Sequence, residues 1–215
     1  FKTHPSIEAE TKGFRTFLLW SRRGRAAGKS SYTTEAMEIL ITPLDQKHLP
    51  QISQLIRETI TATFQRENLT DIAIMNEEID RINQRFADLV NDAQKSRVFV
   101  ALIENKVVGT MAIDHPSPSM LKVLDKAKID FDQTTIAEFC LAYVSPNHQG
   151  KGVGKKLIQQ LFAHLKKTDY RSYALYSGYT HTIPVWRKIF GAEKIMLPSY
   201  FPDGCDCYVW LNQLD

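Results

Sequence analysis

The sequence predicts an α/β protein with a mixed central sheet and helices on both of its faces. Three observations carry that expectation. Short β-rich runs alternate with segments of helical periodicity in the order β-α-α-β-β-β-α-β-α-β-β. No internal repeat interrupts that order. A glycine-rich junction, "SPNHQGKGVGKKLI" at 145–158, joins an apolar strand directly to an amphipathic helix.

The elements follow in chain order. "MEILITPL" reads as a short first strand. From Asp45, a plausible N-cap, the residues Leu49, Ile52, Leu55, Ile56 and Ile60 share one helical face. A second helix is expected with Asn76 as its cap and Ile79, Ile82, Phe86, Leu89 and Val90 on its apolar side. "RVFVALIENKVVGTMAI" gives two β runs broken at Glu104-Asn105-Lys106, a hairpin signal. Residues 114–133, with Pro116 and Pro118, form a longer connection with room for a short helix around 121–126. "TIAEFCLAYVSP" is a strand ended by Pro146, which cannot donate to a sheet ladder. Val153, Leu157, Ile158, Leu161, Phe162 and Leu165 mark the next helix, with lysines on its other face. "SYALYSGY" is a strand. A short helix then starts at Thr182-Ile183-Pro184, with Thr182 its expected cap, and ends at Gly191. "EKIMLPSYF" and "CDCYVWLNQL" supply two last strands.

At 215 residues and 43% hydrophobic content the chain can bury one good-sized core, so one domain over residues 37–215 is expected, preceded by an extension over 1–36. That extension lacks sustained periodicity and carries seven Lys/Arg against three Glu. It reads as a flexible tail, native or added upstream, with Met37 available as a start; a basic arm for an acidic partner is the alternative. The tail's +4 accounts for the net +3, and the remaining residues sum to −1. The main body therefore gives no reason to expect nucleic acid as a partner. No apolar stretch approaches the roughly 20 residues of a membrane span. Three cysteines, Cys140, Cys205 and Cys207, make neither an even disulfide framework nor a zinc pattern. Free thiols, a cytoplasmic location and no metal are the expectation.

Three schemes for holding a phosphate compete at 150–156. A Walker-type loop needs Gly, four residues, then Gly-Lys-Ser/Thr, but Gln149 stands at the first glycine and Lys156 replaces the hydroxyl. "GRAAGKS" at 24–30 has only three residues between its glycines and no preceding strand. The dinucleotide pattern Gly-x-Gly-x-x-Gly fails at Lys155. Gln149-x-x-Gly152-x-Gly154 remains, between a strand and a helix. Glycines there allow close backbone approach, and free N–H groups meet the positive end of the helix dipole. Lys151 and Lys155 can add charge. A tight turn whose glycines only relieve strain is the bland alternative.

Together with the preceding "AEFCLAYVSP", this stretch resembles motif A of the GNAT superfamily of acetyl-CoA-dependent N-acetyltransferases, and the order of elements resembles that family from about Met37 to the C-terminus. The resemblance implies a GNAT-like, mostly antiparallel mixed sheet. It also implies acetyl transfer from acetyl-CoA to a primary amine of a small molecule or peptide, with no metal. The pyrophosphate would lie on Gln149, Gly150, Lys151, Gly152, Val153, Gly154 and Lys155. The pantetheine arm would pair with the backbone of Leu141, Ala142, Tyr143 and Val144, on a strand that splays from its neighbour.

An ammonium of lysine type, pKa about 10.4, must lose its proton before it can attack a thioester. By the match to the family's "Ala-Glu" strand start, Glu138 is the expected general base, acting through water; a strand-edge carboxylate paired with a lysine is the alternative. The family's acid is a tyrosine in "Leu-Tyr-x-Lys-Leu-Gly-Phe", where this chain has "VWRKIFGA". Trp186 occupies the nearest place, and indole is no acid. Tyr179, with Tyr176 and Tyr200 behind it, is the nearest candidate, and a thiolate with a free pKa near 8.5 can also leave unaided. His148 reads as a solvated loop residue, and His181 as a residue near the cofactor cleft. A buried, inert Cys140 favours direct transfer in a ternary complex over a covalent intermediate. A non-catalytic acyl-CoA-binding module is the competing class. Homodimerisation stays open, and the acceptor amine is not encoded in any recognisable motif.

Overall fold

The computed structural model describes residues 38–91, 97–201 and 204–214; the expected extension over 1–36 lies outside them. The described elements are β1 (Leu40–Pro43), α1 (Leu49–Arg66), α2 (Ile72–Asn91), β2 (Arg97–Ile103), β3 (Lys106–Asp114), α3 (Pro118–Lys126), β4 (Ile136–Val144), α4 (Val153–Leu165), β5 (Ser172–Ser177), α5 (Ile183–Phe190), β6 (Ile195–Leu197) and β7 (Cys207–Gln213). The predicted order is reproduced, with α3 filling the long connection. The sheet runs β1-β2-β3-β4-β5-β7-β6, and all described pairings are antiparallel except β4 with β5.

Alternation along the strands sorts the core into layers. Val98, Val100, Ala112 and Cys140 face α1 and α2, whereas Phe99, Ala101, Phe139, Leu175 and Trp210 face α4 and α5. α3 lies on the α1/α2 face further along the sheet, packing Met120, Val123 and Leu124 against Ala174, Tyr176 and Val209. Both faces are covered, so all nine residues of β4 are buried, which explains its unbroken apolar run.

Local chemistry accounts for most element ends. Glu104 and Asn105 adopt φ of 49° and 61°, a two-residue turn with positive φ at both positions, which suits the right-handed twist of the β2–β3 hairpin. Asp45 caps a single 3₁₀ turn, Gln46–His48, that leads into α1. Ser117 caps α3, its Oγ accepting the Met120 N–H at 3.2 Å. One expected cap is displaced, and another keeps its place without a capping bond. Helix α2 begins earlier than expected, and Asp71, not Asn76, accepts the N–H groups of Ala73 and Ile74 at 3.0 and 3.1 Å. Thr182 does precede α5, but its hydroxyl donates to the Tyr179 carbonyl at 2.7 Å and caps nothing.

The main irregularity of the sheet is in β4. Leu141 has φ of 50°, and the β3 register jumps from Ala112↔Cys140 to Thr110↔Tyr143, leaving one extra residue on β4. Cys140 and Leu141 therefore both belong to the α1/α2 side, while Ala142 and Val144 return to the other. Such a bulge bends and twists its strand. Parallel pairing with β5 covers only Ile136↔Ser172, Ala137↔Tyr173 and Glu138↔Ala174. From Phe139 and Leu175 onward the two strands share no ladder.

Candidate active site

The gap that opens beyond Glu138 ends at the glycine loop. After Val144, Pro146–His148 makes one 3₁₀ turn, Gly150 takes φ of 75°, and Gly152, the N-cap of α4, takes φ of 89°. Only glycine adopts these values without strain. No side chain caps α4, so its first N–H groups stay available to an anion. Lys151 and Lys155 are exposed beside them. Gln149 does a different job from the charged ends: its amide donates to the Val144 carbonyl at 3.1 Å and fastens the loop to the end of β4. Val153 can offer the loop only its main chain, because its side chain is buried in the core. A Cβ on Gly109 of β3 would lie 2.9 Å from Val153 Cγ1 and 3.0 Å from the Tyr143 carbonyl oxygen. Gly109 is thus what lets the start of α4 sit tightly against the sheet.

Beside the gap lies a narrow, partly open apolar slot lined by Thr110, Ala142, Val144, Gly154, Leu157 and Trp186. The Thr110 hydroxyl is engaged, donating to the Leu141 carbonyl at 2.8 Å across the bulge. Trp186 stacks on Phe190 with centroids 5.6 Å apart. Its indole N–H is buried and has no hydrogen-bond partner among the described residues. The slot, the splayed β4 backbone and the uncapped helix start are continuous through Val144 and Gly154. An uncapped helix start suits an anion, and an unpaired strand edge suits amide groups.

Glu138 lies at the closed end of the gap, 1% exposed. Its Oε2 accepts the Ser117 N–H at 2.6 Å, at the positive end of α3. Burial pushes its pKa up, and Arg85 and the Ser117 contacts oppose this in part. Among the described residues no lysine pairs with it; the cation acting on it is Arg85 of α2, whose Nη2 donates to Cys140 Sγ at 3.4 Å and lies 3.5 Å from Asp114 Oδ2. Burial drives the Cys140 thiol far above its usual range, against the pull of Arg85. A thiolate nucleophile is unavailable there at neutral pH. Tyr179, 2% exposed, packs in the same cluster as Leu141 and Tyr143. Glu138 and Tyr179 thus flank the bulge from opposite ends of the gap, while His148 is half-buried beside the loop.

A pair that the sequence did not single out ties α1 to the loop after β5. Glu67 accepts from Thr180 Oγ1 at 2.8 Å, from the His181 N–H at 3.2 Å and from the His181 ring at Nδ1. Burial alone would raise the Glu67 pKa, but these bonds from His181 and Thr180 hold it down to about 2, from the usual 4.5. The folded value lies below the unfolded one. The resulting stability is present above pH 4.5 and is lost as pH falls toward 2. Glu67→Gln is expected to cost about 1–3 kcal/mol at pH 7 and to flatten the fall in melting temperature across that acid window, measured by thermal denaturation. The pair is 114 residues apart, and no local pattern announces it.

Among the described residues no helix is long and apolar enough to cross a membrane. Comparison with solved structures finds the same fold. A PaiA N-acetyltransferase from Thermoplasma acidophilum in complex with coenzyme A is 15% identical, with a TM-score of 0.59 over 81% of this chain and 99% of that one. YncA, a putative acetyltransferase from Salmonella typhimurium with acetyl-CoA, is 17% identical with a TM-score of 0.60 over 83% and 95%. A ribosomal-protein-alanine N-acetyltransferase from Brucella melitensis is 18% identical, with a TM-score of 0.60 over 81% and 99%. No curated protein matches the chain. The model of the acetyltransferase (GNAT) family matches residues 52–192, from α1 through the glycine loop to the end of α5. The chain belongs to the GNAT acetyltransferase family.

Proposed function

We propose that the protein transfers the acetyl group of acetyl-CoA to a primary amine of a small molecule or peptide, by direct attack in a ternary complex. The observation that carries this reading is the continuity of three features: the β4–β5 gap, the apolar slot beside it and the uncapped, positive-φ start of α4. The chain's fold neighbours described with coenzyme A or acetyl-CoA support the choice of donor.

In this scheme the backbone of Leu141 to Val144 aligns the arm, and the N–H groups from Gly150 to Lys155, with Lys151 and Lys155, take the pyrophosphate. Bound acetyl-CoA supplies the activated carbonyl. The amine nitrogen forms a bond to that carbonyl carbon, and the carbon–sulfur bond breaks. The amine's proton passes through water to Glu138, whose raised pKa makes it a better acceptor near neutrality. The CoA sulfur leaves with its electron pair and is protonated from Tyr179 or from solvent. The acceptor reaches the gap from the side of α1, α2 and α3.

A panel of amines and peptides tests the reading by the release of free CoA. An acceptor that raises release at least about tenfold over hydrolysis, with an acetylated product of the matching mass, is the expected result. Tight acetyl-CoA binding without stimulated release by any amine would assign the chain to the acyl-CoA-binding modules instead.

A further inference from the structure

We infer that Arg85 is a positioning residue for the proposed base: reaching from α2 onto the sheet, its guanidinium holds the Glu138 carboxylate in the ionised form that takes the acceptor's proton, and Asp114 opposes it. This rests on the acetyl-transfer reading above and on Glu138 as its base.

The strand register sets four residues at the corners of a rectangle. Asp114 pairs with Glu138 and Ala112 with Cys140, so the corners lie roughly 5 Å apart across the strands and roughly 7 Å apart along them. Alternation turns all four side chains to one face, the one on which Ala112 and Cys140 pack under α1 and α2. Arg85 Nη2 touches two diagonally opposed corners, donating to Cys140 Sγ at 3.4 Å and lying 3.5 Å from Asp114 Oδ2. A group in contact with both ends of a diagonal lies over the middle of the rectangle. Of the two corners left, Ala112 presents only a methyl group, which makes room for the guanidinium. The other is Glu138.

Arg81, one turn earlier on α2, shows the contrast. Its Nε and Nη2 donate to Glu78 of the same helix at 2.9 and 2.6 Å. Arg85 has no such clamp. Among the described residues its one hydrogen bond goes to a thiol, a weak acceptor, and its ion pair with Asp114 is long. Asp114 is itself turned partly aside, its Oδ1 accepting the His115 N–H at 2.8 Å. A guanidinium whose side chain is only 26% exposed calls for an anionic partner, and Glu138 is the carboxylate within its reach that no other cation claims.

The other groups facing Glu138 are few. The start of α3 brings the Ser117 N–H at 2.6 Å. β3 brings Asp114, a like charge that works against ionisation, and β4 brings the Cys140 thiol, which stays protonated. From β5, Ala174 pairs beside Glu138 and carries no charge. Among the described residues Arg85 is thus the cation of the set, and its attraction is the strongest influence favouring the ionised carboxylate.

The test titrates the full chain by NMR with its glutamate carboxyls isotope-labelled, the Glu138 resonance being assigned through Glu138→Gln. The pH profile of single-turnover CoA release is measured in parallel, with acetyl-CoA and the amine selected by the panel above. Arg85→Met is expected to move the Glu138 titration to higher pH, because burial and Asp114 then act with no cation against them, and to lower release on the acid limb about tenfold or more. Above that limb the variant should regain the wild-type rate, which a merely structural defect would not allow. Arg85→Lys keeps the charge and should recover part of the loss. Asp114→Asn should move the titration and the limb to lower pH, and it decides the matter should Arg85→Met fail to fold. An unmoved Glu138 titration in folded Arg85→Met overturns the inference while the acetyl-transfer reading stands. A titration that moves without the rate profile following removes Glu138 as base and the inference with it, though amine-stimulated release would still uphold acetyl transfer. No stimulated release by the wild type overturns both.

Discussion

Replacing Glu138 with glutamine is expected to lower turnover by about 10²- to 10⁴-fold, the range lost with a general base, while the acetyl-CoA dissociation constant stays within about twofold. Glutamine keeps an acceptor for the Ser117 N–H, so the contact at 2.6 Å survives and the start of α3 stays in place. What is lost is the proton acceptor. Because burial raises the Glu138 pKa, the acidic limb of the wild-type rate profile should lie above the ordinary carboxylate range. The variant should lack that limb. Single-turnover CoA release across pH, with binding measured separately, checks both statements. Unchanged turnover would reject Glu138 as base. The search would then move to His181, whose Nδ1 is held by Glu67 and whose buried Nε2 has no partner among the described residues. The two carboxylates also respond to acid in opposite senses. Glu67, with a depressed pKa, loses stabilisation as pH falls; Glu138, with a raised one, binds its proton more readily when folded and is relieved by acid.

The largest effect on stability is expected at Phe139. This fully buried ring sits between Phe162, Tyr173 and Phe190, with centroid separations of 5.5, 5.1 and 5.6 Å. Phe139→Ala removes a large apolar side chain and three aromatic contacts together, and should cost about 3–5 kcal/mol. Urea unfolding monitored by tryptophan fluorescence measures it. Phe139 is the first β4 residue past the last pair with β5. Its loss should therefore also loosen the closed end of the gap, visible as faster amide exchange at Glu138 and Ala174 than in the other strands. A cost below about 1.5 kcal/mol would mean that α4 and α5 close over the cavity, and that the cluster does not fix the gap.

Much of this architecture was legible in the residues. Period-2 and period-3.6 patterns set the order of elements, because burial on one face leaves a pattern that survives without coordinates. The glycine loop was legible for the same local reason: positive φ at Gly150 and Gly152 demands a residue type. The start of α2 was not. Ile72 and Ile74 are 67% and 43% exposed, so the first turn shows no apolar face, and the pattern begins only near Asn76. The bulge was hidden too, since its positive φ falls on Leu141 and no glycine marks it. Glu67 with His181, and Trp186 with Ala142 and Gly154, come from segments far apart in the chain. Only the folded sheet brings them together. Gly109 was the exception that could have been used, since a glycine inside a β run signals the close approach of another segment.

The interrupted pairing of β4 and β5 gives this sheet four edges instead of two. The outer pair, β1 and β6, faces outward in the ordinary way, but the other two lie inside the molecule, where β4 and β5 part. An open strand edge invites a further strand, and on a surface that is a route to aggregation. Here Leu157 of α4 and Phe190 and Trp186 of α5 pack on the same core as β4 and β5 and cover one face of the opening. The same break in the sheet that opens two inner edges also sets them under helices, where they are shielded from pairing with a strand of another molecule.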